Sequence, residues 1–259
     1  MPNIATKAID SIRRNGFAKA IGDALTFPFR YRQTQKQKRT IWSGVLALDS
    51  VEARFTAIYA NNLWESTESV SGPGSTLDYT ANLRAKLPEL VAAYGIKRIF
   101  DAPCGDFNWM RHVLPEMDVS YVGGDIVQVL IDAHNAAFSN ARTVFMHIDM
   151  IKDGLPQADL MICRDCLFHF SYENTRLVFE NFVRSGTRYL LTTTHKPTFG
   201  FGAGNRDVVT GDYRRIDLFA APYFLPSPPL ERIDDWCAPA AQREMCLWSR
   251  EQVAEALKK

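Results

Sequence analysis

The chain has 259 residues, of which 46% are hydrophobic and 23% are charged, an ordinary composition for a globular protein. Its 30 basic residues nearly balance its 29 acidic residues, which argues against a general nucleic-acid-binding protein because such proteins usually carry a basic excess. No apolar run approaches the roughly 20 residues that a membrane-spanning helix needs.

Apolar residues recur at helical spacing near the N-terminus and predict a helical extension over 1–60, followed by the main domain over 61–259. The N-terminus is amphipathic and not continuously apolar, so we do not interpret it as a signal peptide. The basic run RYRQTQKQKR at 30–39 predicts a solvated linker or helix face, and peripheral contact with an acidic membrane surface is the alternative. A Gly/Pro/Ser loop at 69–80 leads into a further helix.

Strands and helices then alternate as far as His195. The strand segments are KRIFDA, SYVGGDI, RTVFMHIDM, ADLMICRD and RYLLTTTH, and the helical segments are NWMRHVLPEM, VQVLIDAHNAAFS and TRLVFENFVRSG. This alternation is typical of βαβ units and predicts an α/β fold, with a parallel sheet covered by helices on both faces. After His195 come a Gly-rich loop, a proline-rich extended segment, and a last strand, EMCLWS.

Five cysteines, an odd number without the spacing of a disulfide framework, indicate a reducing compartment, and we expect a cytoplasmic protein. Cys163 and Cys166 form a CxxC pair, but neither a second ligand pair nor a thioredoxin-like context accompanies it. We therefore interpret both as reduced structural thiols and predict no metal site.

Acidic residues stand at the ends of successive strands, where doubly wound sheets bind their ligands. Asp101 ends the first strand and Asp106 lies in the turn after it; Asp125 ends the second strand, 20 residues after Gly105, and Asp149 ends the third. That spacing lets an acidic residue meet a ribose diol. Each aspartate alone would be interpreted as a cap or turn residue, whereas the ordered set predicts a ligand site.

The first turn contains a single glycine, Gly105, with Pro103 and Phe107 flanking it, and not the GxGxxG of a nicotinamide or flavin fold. A ligand without phosphates needs less bare backbone, and Asp106 would repel a pyrophosphate. The turn therefore favours a cationic or zwitterionic ligand, such as one with a sulfonium and an amino group.

The segments DAPCGDFNW, YVGGDIV, HIDM and ADLMICRDCLFHFS resemble, in order and spacing, the motifs of class I S-adenosylmethionine (SAM)-dependent methyltransferases. The usual first loop of that family is acidic-x-Gly-x-Gly-x-Gly; Asp101 and Gly105 are kept here, and Pro103 and Phe107 stand where glycines are usual. The resemblance covers 95–195, with a tail to 250. The chain is also similar to a bacterial subgroup with SGPGS before the core, found near polysaccharide assembly functions.

The resemblance implies a Rossmann-like class I methyltransferase fold, with a mostly parallel seven-stranded sheet, and SAM as the cofactor. It implies that Asp125 binds the ribose, that Asp149 binds the adenine amino group, and that Asp106 binds the methionine amino group. The cofactor-binding residues it implies are Ser71, Gly72, Ser75, Asp101, Ala102, Pro103, Gly105, Asp106, Asp125, Ile126, Ile148, Asp149, Met150 and Arg164.

Methyl transfer to oxygen needs an aligned nucleophile and removal of its proton. His169, four residues after Asp165, has the pKa range of a general base, and we predict it in that role with Asp165 as its partner. His195 is the rival base, and a packed or loop histidine is the alternative for each. The segment RDCLFHF lacks the Asn/Asp-Pro-Pro-Tyr/Phe signature of many amino-group methyltransferases, which favours an oxygen acceptor.

The loop 196–217 is predicted to form the acceptor wall, with a structural Gly-rich loop as the alternative. Its polar and planar groups and the nearby flat rings suit a sugar or a small phenol: Asn205, Arg206, Asp212, Tyr213, Arg214, Phe199, Phe201 and Trp64. We expect an O-methyltransferase acting on a sugar hydroxyl of a glycan or glycan precursor. A small phenolic or carboxylate metabolite is the second acceptor, and a non-catalytic cofactor-binding scaffold is the third interpretation.

Overall fold

The computed structural model describes residues 38–197 and 204–259. The predicted roles of Phe199 and Phe201, most of the N-terminal extension and most of the basic run therefore lie outside the described residues. The chain divides into two compact units, Met1–Ala47 and Leu48–Lys259. Residues 38–46 of the first unit are helical. None of the helices in the described part of the chain has the length and apolarity that crossing a bilayer requires.

In the described residues of the second unit, 48–197 and 204–259, there is one sheet of seven strands. They are β1 (Arg98–Asp101), β2 (Ser120–Asp125), β3 (Thr143–His147), β4 (Leu160–Cys163), β5 (Tyr189–His195), β6 (Glu231–Asp234) and β7 (Arg243–Ser249). Their order across the sheet is β3-β2-β1-β4-β5-β7-β6. Strand β7 runs antiparallel to both β5 and β6, and the other pairs are parallel, which confirms the expected mostly parallel seven-stranded sheet.

Helices cover the sheet on both sides. They are α1 (Val51–Ala60), α2 (Ala81–Ala93), α3 (Met110–Val113), α4 (Gln128–Phe138), α5 (Tyr172–Ser185) and α6 (Arg250–Ala256). The core of the described residues consists of two buried apolar clusters. Phe100 of β1 packs in the first cluster and its neighbour Ile99 packs in the second, because successive side chains of a strand point to opposite faces of the sheet. Helix α1, which the sequence grouped with the extension, packs Val51 and Phe55 against the first of these clusters.

Two details of the chain trace differ from the sequence interpretation. Strand β3 ends at His147, and Asp149 lies two residues beyond it, in a turn where its Oδ1 accepts a hydrogen bond from the backbone N–H of Ile151. The segment interpreted only as extended and proline-rich contains β6, which pairs with β7 at the edge of the sheet. Strand β6 has only four residues and follows a proline-rich segment, so the sequence alone shows no clear strand pattern there.

The strand order reverses between β1 and β4, since β1 leads outward to β2 and β3 while β4 leads to β5. Parallel sheets leave a crevice outside the carboxyl ends of the strands at such a switch point. The fold therefore places a ligand site next to the segments that follow β1 and β4.

Candidate active site

A cavity of about 330 Å³ occupies this crevice. Its wall is formed by the segments that follow β1, β2, β3 and β4, by the loop 70–79, by α1, and by Arg243 at the start of the antiparallel β7. The structure brings together the following residues that the sequence predicted for the site: Trp64, Ser71, Gly72, Ser75, Asp101, Pro103, Gly105, Asp106, Asp125, Ile126, Ile148, Asp149, Met150, Arg164, Asp165, His169 and Tyr213.

Asp101 and Asp125, at the ends of β1 and β2, are both buried. Asp101 accepts a hydrogen bond from the hydroxyl of Tyr121 at 2.8 Å, and Asp125 accepts from the backbone N–H groups of Gly105 and Val127, each at 3.0 Å. Burial raises the pKa of Asp101 to about 7, although the Tyr121 hydrogen bond lowers it, and burial also raises the pKa of Asp125. Both ionised forms would therefore be stabilised by a cation in the cavity.

The loop after β1 is held from both sides. The Oγ of Ser71 accepts a hydrogen bond from the backbone N–H of Asp106 at 2.9 Å, and the ring of His134 donates to the carbonyl of Gly105 at 2.7 Å. Gly105 has a φ of 55°, and a Cβ there would lie 2.3 Å from the Ser71 Oγ. Only glycine allows this close approach, which brings Ser71 of the loop at 69–76 against the turn after β1.

Phe107 stands where the family usually has a glycine, and it adopts the left-handed conformation with a φ of 57°. Its ring is buried among Tyr121, Phe138 and Phe145, at centroid distances of 5.4, 5.4 and 5.0 Å. This aromatic packing holds a backbone conformation that a glycine would adopt without strain. The departure from the usual loop pattern thus leaves the turn intact.

The segment after β3 combines one polar group with apolar neighbours. Asp149 is largely buried, and its carboxylate lies 3.0 Å from the ammonium of Lys152. Ile148 and Met150 are buried on either side of it and line the cavity together with Ile126. A carboxylate between apolar side chains suits a flat ring with a donor on its edge.

Two arginines and two aspartates form a cluster beyond the end of β4. Arg164 donates to both carboxylate oxygens of Asp235, at 2.8 and 3.0 Å, and to the carbonyl of Gly74 at 2.7 Å. Asp165 accepts a hydrogen bond from Arg243 at 2.5 Å, and its backbone N–H donates to Thr193. Arg164 thus fastens the loop 70–79 to the sheet.

His169 ends a short 3₁₀ turn, Leu167–His169, and faces the cavity. Its Nδ1 lies 2.9 Å from the carbonyl oxygen of Asp212, which can only accept, so Nδ1 carries the proton and Nε2 is the unprotonated nitrogen. Burial lowers the pKa of His169, which keeps the ring neutral at pH 7. The sequence prediction named Asp165 as the partner of this histidine, but the backbone of Asp212 orients the ring instead.

His195, the rival base, lies behind the cavity wall. It is buried, its Nδ1 accepts from the backbone N–H of Ile216 at 3.3 Å, and its Nε2 lies 3.5 Å from the hydroxyl of Tyr213. Burial lowers its pKa to about 4, and the charge of Arg243 contributes to the decrease. The structure therefore places Tyr213, and not His195, at the cavity.

Besides His195, five described residues that the sequence predicted for the site do not line the cavity, namely Ala102, Asn205, Arg206, Asp212 and Arg214. Ala102 is fully buried in the core. Asn205 donates to the carbonyls of Asp217 and Ala221, Arg206 donates to the carbonyl of Tyr213, and the buried Arg214 donates to the carbonyl of Arg206. These polar side chains satisfy backbone carbonyls of the same region of the chain, and this is the physical reason that they do not line the cavity.

By sequence, the chain matches no protein-family model and no curated protein. By structure, it is similar to a SAM-dependent methyltransferase from Leishmania major, with a TM-score of 0.57 and 14% identity over 81% of this chain and 90% of that one. The fold is that of the class I methyltransferases. It is also similar to magnesium protoporphyrin IX methyltransferase from Synechocystis with bound S-adenosylhomocysteine (SAH), with a TM-score of 0.50 and 14% identity over 67% and 84% of the two chains.

A further structure with this methyltransferase fold is the N-methyltransferase NodS from Bradyrhizobium japonicum in complex with SAH, with a TM-score of 0.50 and 12% identity over 82% of this chain and 97% of that one. At such low identity the likeness describes the fold, and the acceptor has to be argued from the residues of this chain.

The residues at this site that sequence reasoning missed include three that bear on its polar chemistry. Tyr79 and Arg243 line the cavity, and Asp235 pairs with Arg164 beside it. Tyr79 belongs to the Gly/Pro/Ser loop at 69–80. An aromatic residue between two polar residues of that loop was the sequence feature that could have indicated a site residue. Asp235 and Arg243 flank a turn between β6 and β7, and their place at the site depends on the antiparallel insertion of β7.

Proposed function

We propose that the protein is a SAM-dependent methyltransferase that transfers a methyl group to a hydroxyl oxygen. The observation that carries this proposal is one cavity, at the switch point of a class I methyltransferase fold, with carboxylates arranged in order after β1, β2 and β3. The same cavity contains a neutral histidine with an unprotonated ring nitrogen, which supports proton removal from an acceptor.

The residues of the cavity fit this cofactor. Asp125 offers acceptor oxygens for two ribose hydroxyls, Asp149 offers one for an amino group, and Ile148 and Met150 offer apolar contact to a ring. Gly105 lines the cavity, and a Cβ at this position would collide with the Oγ of Ser71. When bound, SAM supplies an electrophilic methyl group on a sulfonium.

The residues of the chain supply orientation and proton removal. The carbonyl of Asp212 fixes the tautomer of His169, so that Nε2 is the ring nitrogen that can accept a proton. The rings of Trp64 and Tyr213 lie 5.8 and 5.9 Å from His169, centre to centre, and provide flat faces that orient an acceptor. A positioned general base typically contributes 10²–10⁴-fold to a rate.

We propose a sugar hydroxyl of a glycan or glycan precursor as the acceptor. A sugar hydroxyl is a weak acid, so a dedicated base matters more for it than for a phenol. A small phenolic or carboxylate metabolite remains the second candidate, because the aromatic side chains around His169 also suit a planar ring.

We also propose that the protein is cytoplasmic. The five cysteines are free thiols, and free thiols are typical of a reducing compartment.

The test has two stages. Native mass spectrometry of the purified protein should detect SAM or SAH, and incubation with methyl-labelled SAM and a panel of sugars, glycan precursors and phenols should yield a labelled product. Binding of SAM without transfer to any acceptor would indicate the non-catalytic scaffold. Transfer to nitrogen acceptors alone would contradict the proposed reaction.

A further inference from the structure

Two hydrogen-bond donors of cavity-lining residues have no partner within the described part of the chain. They are the hydroxyl of Tyr79 and the Nε of Arg243, and both atoms are buried. The guanidinium carbon of Arg243 lies 4.6 Å from the centre of the Tyr79 ring, so the two donors belong to one side-chain cluster. Because a buried donor without a partner is unfavourable, this cluster favours a ligand group that accepts hydrogen bonds.

Arg164, the other described arginine of the cavity, differs from Arg243 in the number of its hydrogen bonds. It makes two hydrogen bonds to Asp235 and one to the carbonyl of Gly74, all within 3.0 Å. The hydrogen bond that the described residues give Arg243 runs from Nη2 to Asp165. Arg164 therefore serves the packing of a loop, whereas Arg243 keeps hydrogen-bonding capacity for a ligand.

The position of Arg243 relates this capacity to the candidate base. Arg243 begins β7 and pairs with His195 of β5. Strand β7 is the third strand from β1 across the sheet, so the backbone of Arg243 lies about 14 Å from β1. Its guanidinium carbon lies 5.9 Å from the ring centre of Phe168, the neighbour of His169. The cluster therefore lies on the same side of the cavity as the candidate base.

We infer that the methyl acceptor carries a carboxylate, which binds Arg243 and Tyr79 while the reacting hydroxyl lies against His169. This inference rests on the proposed function and names the chemical class of its acceptor, a hydroxy acid such as an acidic sugar or a phenolic acid. A carboxylate accepts hydrogen bonds from a guanidinium and a hydroxyl at once. Asp165 offsets part of the charge of Arg243, which favours the single charge of a carboxylate over the double charge of a phosphate.

The protonation of Tyr79 is consistent with this role. Burial raises the pKa of Tyr79 to about 12, although the charge of Arg243 lowers it. The hydroxyl therefore stays protonated at neutral pH and remains a donor to a carboxylate.

The carboxylate of SAM itself is the competing occupant. A comparison of SAM with decarboxylated SAM separates the two, because the latter keeps the sulfonium and lacks the carboxylate. If Arg243 and Tyr79 serve the acceptor, the substitution Tyr79→Phe leaves the affinities for both compounds within a factor of two. If Tyr79→Phe weakens SAM and leaves decarboxylated SAM unchanged, the cluster serves the cofactor and the inference is overturned.

The acceptor side is tested with matched probes in the presence of SAH, namely glucuronate against glucose and salicylate against phenol. In the unmodified protein, the acid of at least one pair should bind tenfold or more tightly than its neutral counterpart, and the pair that responds identifies a sugar or a phenolic acid. Tyr79→Phe should lower the affinity for that acid by about tenfold, since one hydrogen bond to a charged group is lost. Arg243→Met should remove the preference.

Tyr79→Phe is a sharp variant because the hydroxyl it removes has no partner in the described residues, so the free protein loses no hydrogen bond. Tyr94→Phe is the matched control: it removes a hydroxyl that bonds Glu231 at 3.1 Å, away from the cavity. The absence of any preference for an acid, including the absence of binding by both acids, overturns the inference. Failure of the proposed function would appear separately, as the absence of SAM binding or of methyl transfer in the unmodified protein.

Discussion

The cavity wall that follows β1, β2 and β3 carries the carboxylates of Asp101, Asp125 and Asp149, and we refer to it as the acidic half. The wall that follows β4 and meets the start of β7 carries His169 and Arg243, and we refer to it as the basic half. In the acidic half, burial raises the pKa of Asp101 and of Asp125, whereas in the basic half Asp165 pairs with Arg243. One crevice therefore offers two electrostatic environments side by side, one with buried carboxylates and one in which arginines pair with aspartates.

The largest expected effect concerns the basic half. The substitution His169→Ala should lower kcat by at least ~100-fold while the affinity for SAM stays within a factor of a few, because the base acts on the acceptor and not on the cofactor. Single-turnover methyl transfer and a separate titration with SAM measure the two quantities.

The control is His112→Ala, since His112 is exposed on α3 outside the cavity. If His169→Ala keeps near-normal turnover and Tyr213→Phe loses it, proton removal proceeds through Tyr213 and His195. If both variants keep it, positioning alone carries the reaction.

The next effect concerns the acidic half. Asp125→Ala should weaken SAM binding by about 2 kcal/mol, or about 30-fold, because two charge-assisted hydrogen bonds to the ribose are lost. Calorimetric titration of SAM measures this change, and Asp132→Ala, at an exposed position on α4, is the control. Equal affinities of wild type and Asp125→Ala would remove the ribose contact from the account.

A smaller effect follows from the pKa of Asp101, which burial raises to about 7. The ionised fraction of this carboxyl rises from about a tenth at pH 6 to about nine tenths at pH 8, so the affinity for the cationic SAM should rise by up to about tenfold over this range. The affinity for SAH, which has no sulfonium, should change less. Asp101→Asn should flatten the difference, and a SAM-to-SAH ratio that does not vary with pH would contradict it.

The raised pKa of Asp101 also affects the stability of the fold, which should fall with rising pH, whereas the affinity for SAM should rise. The folded state binds the proton of Asp101 more tightly than the unfolded state does, so this group contributes stability that is present below pH 4 and is lost as the pH rises through about 7. Asp101→Asn should remove that loss. Denaturant titrations of both proteins at pH 5 and pH 8 measure the change in the free energy of unfolding.

The smallest expected effect is in the loop at 69–76. Added SAH should slow amide hydrogen exchange in this loop several-fold, because Ser71 couples it to the Gly105 turn through the N–H of Asp106. Ser71→Ala should reduce the protection, and the exposed turn at 139–142 serves as the internal control. Unchanged exchange in 69–76 would separate this loop from the cofactor site.

The acidic half could be predicted from the sequence because each of its carboxylates follows directly from a local pattern, an apolar run that ends in an aspartate. The apolar runs of β1 and β2 end in Asp101 and Asp125, and parallel strands bring their carboxyl ends to one edge of the sheet. The exact end of β3 was not readable, since a strand and the turn after it share the same apolar pattern around Asp149.

The basic half was readable only in part. His169 follows β4 directly, whereas Arg243 reaches the cavity because β7 inserts antiparallel between β5 and β6, a pairing that no local periodicity reveals. Asn205 and Arg214 do not line the cavity for a related reason. A Gly-rich segment has to satisfy its own backbone carbonyls, and its polar side chains turn inward to do so.

A crystal structure of the protein with SAH tests the division of the cavity most directly. We expect the adenine to lie against Ile148 and Asp149 and the ribose hydroxyls to bind the carboxylate of Asp125. The space beside Arg243 and His169 should remain open for the acceptor. SAH bound in the basic half, with its carboxylate on Arg243 and no contact to Asp125, would contradict it.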